Sequence, residues 1–227
     1  MQAFEAARRG DFSDIGSWLK NRALTQEALN SLLREAAAHD AVTAVRILIS
    51  EGGNPYDTDE KGRTSFNRAA SNGLHALHVM TETAFLDTQK PAAQRRWKNF
   101  DLNTPSGYYG STLITYAAKV SPAALVNDMI VAGADITIIN GSGWTLLHCA
   151  AVMPDRKDVL KSLINAFRDQ GLEKLIGALS THVYETDYSG NKVVYGEGLT
   201  AAELCRARLD QDPQCPPELA DYLLVLK

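Results

Sequence analysis

The chain has 227 residues, of which 45% are hydrophobic and 22% are charged, and its formal net charge is −4. This composition is ordinary for a folded protein, and the acidic balance argues against nucleic acid or an anionic membrane as the main partner. No run of about 18 apolar residues is present, so the sequence predicts no membrane span. The three cysteines are odd in number and lack zinc-site spacing, which argues against a disulfide framework. We therefore expect a protein of a reducing compartment, the cytoplasm.

The first two segments of the chain are predicted to be pairs of helices. Residues 1–23 begin inside a helix and continue into a second one. Residues 25–57 are the most regular segment, because Thr25 predicts a helix start and Gly52-Gly53 ends a second helix.

The third segment, residues 59–86, is followed by an insertion at 87–105. Within the insertion, Thr88 and Pro91 predict a helix over residues 88–100. We expect it to pack its aromatic residues, Trp97 included, on the third or fourth segment. Its other side carries the densest basic cluster of the chain: Lys90, Arg95, Arg96 and Lys98. This cluster is interpreted either as a solvated face or as a partner-binding protrusion, and it is short for nucleic acid binding.

Helix pairs are also predicted over residues 107–139 and 140–170, and the second helix of the latter pair extends toward Gln170. A further helical segment is expected over 172–179. Two alternating stretches then flank Ser189-Gly190-Asn191, which predicts a β-hairpin formed by residues 181–186 and 192–195. The last segment, 196–227, is predicted to end in a helix over 218–226.

One motif recurs through these segments at a fixed interval. It stands at 141–151 as G-S-G-W-T-L-L-H-C-A-A and, one interval earlier, at 110–118 as G-S-T-L-I-T-Y-A-A. The interval from Thr145 back to Thr112 is the same as that from Thr64 back to Ser31. The intervals from Thr64 to Thr112 and from Thr145 to Thr200 are longer, and the additional residues correspond to two insertions.

The recurring motif resembles the opening of the ankyrin repeat, T-P-L-H-x-A-A, whose period is about 33 residues. The resemblance covers nearly the whole chain as six units, over 1–23, 25–57, 59–86, 107–139, 140–170 and 196–227, with insertions at 87–105 and 171–195. It implies an all-α fold: an ankyrin-repeat solenoid of stacked helix-turn-helix units with short β-hairpin fingers, one of them elongated. It also implies one domain over 1–227, whose first unit needs a polar outer face. Arg8, Arg9, Asp11 and Lys20 fit that face.

The candidate reactive residues have a structural interpretation. His148 and Cys149 are adjacent on a helix and point about 100° apart, so they cannot form a nucleophile–base pair. The resemblance implies that His148 ties neighbouring turns together by hydrogen bonds. His75 and His78 are three residues apart, but identifiable further ligands are lacking. We expect no metal, no cofactor and no enzyme activity; the alternative is a small enzyme with a site at the insertion 171–195.

The resemblance implies a binding surface formed by the finger tips and the outward positions of the first helices. Two sets of residues map to that surface. Exposed anchors are expected at Tyr108, Tyr109, Tyr116, Trp144 and Met153, with Glu60, Lys61 and Arg68 as their polar rim. The alternative is that Trp144 and one tyrosine pack between neighbouring fingers.

The resemblance also bears on the partner. Chains of this kind occur as regulators in eukaryotic cells and as effectors that intracellular bacteria deliver into their hosts, and the insertions and drifted motifs favour an effector in the host cytoplasm. We expect a monomer that binds a protein of unknown identity, and no nucleic acid, membrane or small-molecule substrate.

Overall fold

The computed structural model describes residues 2–21, 24–72, 74–107, 110–141, 143–153, 155–176, 184–186, 192–194 and 198–204. These residues are mostly helical, which confirms the expected all-α class at that level. The α-helices are α1 (Gln2–Arg8), α2 (Ile15–Asn21), α3 (Gln26–Ala38), α4 (Val42–Ser50), α5 (Ser65–Asn72), α6 (Leu74–Thr88), α7 (Leu113–Val120), α8 (Ala123–Val131), α9 (Leu146–Ala151) and α10 (Lys157–Asp169). None of the described helices is both long and apolar enough to cross a membrane.

The chain divides into two compact parts, Met1–Tyr108 and Tyr109–Lys227, called here the N-terminal half and the C-terminal half. In the N-terminal half, α3 contacts α4 and α5, and α6 contacts the same two helices. In the C-terminal half, α7 contacts α8 and α9, and α10 contacts the same two. Within each half, consecutive helix pairs therefore pack side by side, first helix on first helix and second on second. The single domain over 1–227 stays a prediction.

Most first helices begin directly after a threonine. Thr25 is the N-cap of α3, and its hydroxyl accepts a hydrogen bond from the backbone N–H of Ala28 at 3.2 Å. At four later threonines, the side chain three residues on hydrogen-bonds back to the threonine, forming or resembling a capping box. The pairs are Thr64 with Asn67, Thr112 with Thr115, Thr145 with His148, and Thr200 with Glu203. The same capping contact is thus made by four different residue types: asparagine, threonine, histidine and glutamate.

The apolar face of each helix forms the core. The small residues Ala117 and Ala150 are fully buried, as the repeat pattern predicts. The polar residues expected on the outer face of the first segment, Arg8, Arg9, Asp11 and Lys20, are all exposed. That they form the outer face of a repeat stack stays a prediction.

The prediction of a helix over residues 88–100 is wrong. α6 continues to Thr88, and only Ala92–Gln94 forms a short 3-10 helix in the insertion. The reason is Asp87, whose carboxylate accepts hydrogen bonds from the backbone N–H of Arg96 at 2.9 Å and of Trp97 at 3.2 Å. These bonds close a loop, so the N–H groups of Arg96 and Trp97 do not donate to helical carbonyl groups. The burial of Trp97, 7% exposed, is confirmed, but its described ring contact is with Tyr56 of the second segment, at 6.0 Å.

Predictions for the segments after α9 have mixed outcomes. α10 extends to Asp169, as expected. The hairpin is confirmed: strand β1 (Tyr184–Thr186) pairs antiparallel with β2 (Lys192–Val194), with Glu185 opposite Val193. Only the 3-10 helix Glu173–Leu175 is described in the stretch predicted to be helical over 172–179, of which residues 177–179 lie outside the described residues. The final helix over 218–226 also lies outside them.

Candidate functional site

A tight turn before α5 holds two residues of the predicted polar rim, Glu60 and Lys61. The carboxylate of Asp59 accepts hydrogen bonds at 2.9 Å from the backbone N–H groups of Lys61 and Arg63, and it pairs with the guanidinium of Arg63 at 2.7 Å. Partial burial raises the pKa of Asp59, but these hydrogen bonds outweigh burial and hold the pKa below its usual range. Glu60 and Lys61 are left exposed at the tip of the turn.

The same turn is built before α9. The backbone N–H of Asn140 donates to the carbonyl of Trp144 at 3.1 Å, as that of Asp59 donates to Arg63 at 3.0 Å. The side-chain oxygen of Asn140 accepts from the N–H of Trp144 at 3.0 Å. Asn140 therefore makes the same contact with the backbone of its turn as Asp59 does, but it carries no charge. Hydrogen bonds to the side chains of Asp59 and Asn140 thus hold the two turns in a similar way.

Ion pairs connect neighbouring segments on the first-helix side of the N-terminal half. Arg68, a predicted rim residue on α5, pairs with Glu35 on α3 at 3.1 Å. One residue before Glu35, Arg34 pairs with Asp57 at 2.6 Å. The side chains of Arg68 and Glu35 are 25% and 24% exposed, so the pair can be reached from solvent. The rim residues Glu60, Lys61 and Arg68 are thus all accessible.

The predicted exposure of the apolar anchors is wrong wherever the structure describes them. Tyr116, Trp144 and Met153 are 3%, 3% and 8% exposed. Trp144 packs instead of protruding: Nζ of Lys119 lies 5.4 Å from its ring centroid, and the His148 ring lies 6.4 Å away. This agrees with the alternative that Trp144 packs within the protein. Tyr108 and Tyr109 lie outside the described residues.

His148 is fully buried, and both of its ring nitrogens are occupied. Nδ1 accepts from the backbone N–H and the hydroxyl of Thr145, at 3.2 and 2.8 Å, so Nε2 carries the proton and donates to the carbonyl of Leu199 at 2.9 Å. Burial lowers the pKa of His148, and the hydrogen bond to Leu199 raises it by less. The residue joins two turns by hydrogen bonds, the role that the sequence pattern implies.

His75, considered together with His78 as a metal site, contacts an acidic side chain of the preceding segment. Nδ1 of His75 lies 2.7 Å from the carboxylate of Asp40, which also accepts from the backbone N–H of Ala76 at 2.6 Å. Asp40 therefore caps the start of α6 from the preceding segment. No group of three histidine, cysteine or acidic side chains within the described ranges is placed to hold a metal ion.

Sequence reasoning missed the two carboxylates that organise the N-terminal half, Asp40 and Asp87. Asp40 stands in a turn with a φ of 52°, a conformation that aspartate adopts more readily than most residues. That preference marks a turn but does not reveal the contact with Ala76. Asp87 is 4% exposed at the end of an apolar helix, and a buried carboxylate requires partners.

No model of a known protein family matches the chain, and no curated protein is significantly similar to it. The function is therefore inferred from the contacts of this chain's own residues. Most of the insertion 171–195, where the alternative enzyme site was placed, lies outside the described residues.

Proposed function

We propose that the protein is a non-catalytic protein-interaction module, built as an ankyrin-type stack of repeats. It binds a protein partner through the finger tip at Glu60 and Lys61 and the adjoining first-helix face at Arg68. Stacked repeats form extended surfaces of this kind because each unit contacts only its neighbours.

The repeated capping contact supports a repeat architecture. Four threonines begin helical turns, and each is bonded by the residue three positions on. The equivalent turns at Asp59 and Asn140 add a second repeated feature. Within each half, packing of helix pairs side by side is what a stack requires.

The proposed partner-binding surface is centred on the exposed tip at Glu60 and Lys61. Glu60 and Lys61 are exposed on a turn whose backbone is hydrogen-bonded to Asp59, and a backbone that is ordered beforehand loses little entropy on binding. Charges of both signs at a rim set partner choice and association rate more than affinity. The affinity is expected to come from apolar residues, for which Tyr108 and Tyr109, outside the described residues, remain candidates.

The titratable groups with shifted pKa values also favour binding over catalysis. Besides Asp59 they are Asp11, Asp87 and His148 among the described residues. Asp11 bonds Ser13, Asp87 closes the insertion loop, and His148 joins two turns. Such groups in an active site would instead face a substrate cleft.

A charge-swapped variant tests the proposal. Partners of the full chain are captured from lysate, identified by mass spectrometry and then quantified with Glu60→Lys/Lys61→Glu, which keeps the net charge. The matched control is Lys161→Asp/Asp169→Lys, a swap of two exposed residues on α10. We expect partner recovery to fall with the first variant and to persist with the control. Undiminished recovery with the first variant would contradict the proposed surface.

A further inference from the structure

Three basic side chains of the insertion have no acidic partner among the described residues, and backbone carbonyl groups orient two of them. The Nε of Arg95 donates to the carbonyl of Lys90 at 3.1 Å, and a guanidinium N–H of Arg96 donates to the carbonyl of Ile49 at 2.5 Å. Lys98 is exposed. Among the described residues, no carboxylate pairs with any of the three. Carbonyl groups orient the two guanidinium groups but leave their charges uncompensated.

The backbone of this loop is also held by hydrogen bonds. Asp87 accepts from the N–H groups of Arg96 and Trp97, and its charge is matched by Lys90, whose Nζ lies 2.9 Å away. The Trp97 ring is buried, and the guanidinium of Arg96 lies 5.9 Å from its centroid. The Asp87–Lys90 pair is therefore internally neutral, and Arg95, Arg96 and Lys98 remain as positive charges without a paired carboxylate on a hydrogen-bonded loop.

We propose that these three residues form a docking site for an acidic segment of a protein partner, with side-chain carboxylates as the ligands. Guanidinium groups bind carboxylates through paired N–H donors, and each retains free donors after its bond to a carbonyl. Since the loop is ordered beforehand, binding costs little conformational entropy. None of the finger-tip residues takes part.

A nucleic acid fits this site less well. Three cations neutralise about three phosphates, which gives only weak binding at physiological salt. The net charge of −4 over the whole chain repels a polyanion at longer range. A short acidic segment needs only the local surplus of positive charge.

The test uses the full chain and a fluorescein-labelled peptide of twelve residues that alternates glutamate with glycine and serine. Fluorescence anisotropy measures its Kd at low and at physiological salt, beside a neutral peptide with glutamine for glutamate. The variants are Lys98→Gln and Arg95→Gln/Lys98→Gln. The matched control is Arg9→Gln/Lys20→Gln, which removes two exposed charges from the first segment. Urea unfolding checks that each variant remains folded.

We expect the acidic peptide to bind, the double variant to raise its Kd about tenfold, and Lys98→Gln to raise it severalfold, since exposed ion pairs each contribute up to about fivefold. The control should stay within about twofold of the original protein. Equal binding of the acidic and the neutral peptide would overturn the proposal. So would equal loss in the control, which would indicate a general charge effect, or tighter binding of a twelve-nucleotide single-stranded RNA than of the acidic peptide.

Discussion

His148 donates a hydrogen bond from Nε2 to the carbonyl of Leu199, 51 residues further along the chain, at 2.9 Å. On its other side, the same ring accepts from Thr145 at the start of α9. One imidazole thus joins the beginning of one helix to the turn before the helical residues 201–204, across the insertion 171–195. The bonds from Thr145 need the neutral ring, because Nδ1 must be free of a proton to accept them.

Stability should therefore decrease in mildly acidic solution. The pKa of His148 is lowered in the folded state, whereas histidines of an unfolded chain titrate near about 6.5. As the pH falls through that value, the unfolded chain binds more protons than the folded one, so folding becomes less favourable. We expect the urea midpoint to be highest above pH about 6.5 and to decrease between there and pH about 5.

The control for that pH dependence is His148→Gln. A glutamine can still cap Thr145, but it does not titrate. At neutral pH we expect a loss of about 1 kcal/mol in the free energy of unfolding, the cost of one hydrogen bond. Below pH about 6.5 the difference between the two proteins should shrink. A constant difference across the pH range would show that His148 contributes no proton linkage.

Two glycines with similar backbone conformations should respond differently to alanine. Gly62 and Gly107 have φ values of 70° and 67°, so alanine costs about 1 kcal/mol of backbone strain at either position. A Cβ at Gly62 meets nothing within 4 Å, whereas at Gly107 it would lie 1.7 Å from Oδ1 of Asn67, the atom that caps Thr64. Urea unfolding should therefore show a larger loss for Gly107→Ala than for Gly62→Ala. Equal losses would mean that Asn67 moves aside without cost.

The small residues between helices should not tolerate enlargement. Ala117 is fully buried on α7, whereas Ala38 at the end of α3 is partly exposed. Overpacking a filled core costs about 1–3 kcal/mol, so Ala117→Leu should lower the urea midpoint more than Ala38→Leu. If the two midpoints agreed, the assignment of these positions within the repeat would be wrong.

Trp97 anchors the insertion by its ring and not by its N–H group. Its ring is buried near Tyr56, and Nε1 has no hydrogen-bond partner among the described residues. Trp97→Phe should therefore cost much less than Trp97→Ala, for which we expect about 3–5 kcal/mol. In a Trp18→Phe/Trp144→Phe background, the fluorescence of Trp97 should resist quenching by iodide. Strong quenching would contradict the packing of this ring.

Local sequence signals predicted the helix starts well. A threonine that recurs at the repeat interval, followed by an apolar run, is a local signal, and the structure begins α7 and α9 at those positions. The hairpin was equally readable, because alternation around a glycine is a local pattern. These features depend on residues a few positions apart.

The predictions that failed concern features that depend on contacts between residues further apart in the chain. Residues 88–100 have the composition of a helix, but Asp87 bonds backbone groups nine and ten residues on, which outweighs local propensity. The outward positions of a repeat give the direction of a side chain and not what covers it. Tyr116 was expected to be exposed for that reason, and Trp144 because it stands immediately before Thr145, next to a finger tip. Both are buried.

Amide hydrogen exchange of the full chain, alone and with its captured partner, tests the proposed binding surface most directly. The proposed surface comprises the turn that Asp59 holds and the start of α5 that carries Arg68. We expect exchange in the complex to slow in peptides that cover residues 57–72. Slowing confined to residues 113–169, with residues 57–72 unchanged, would contradict the account.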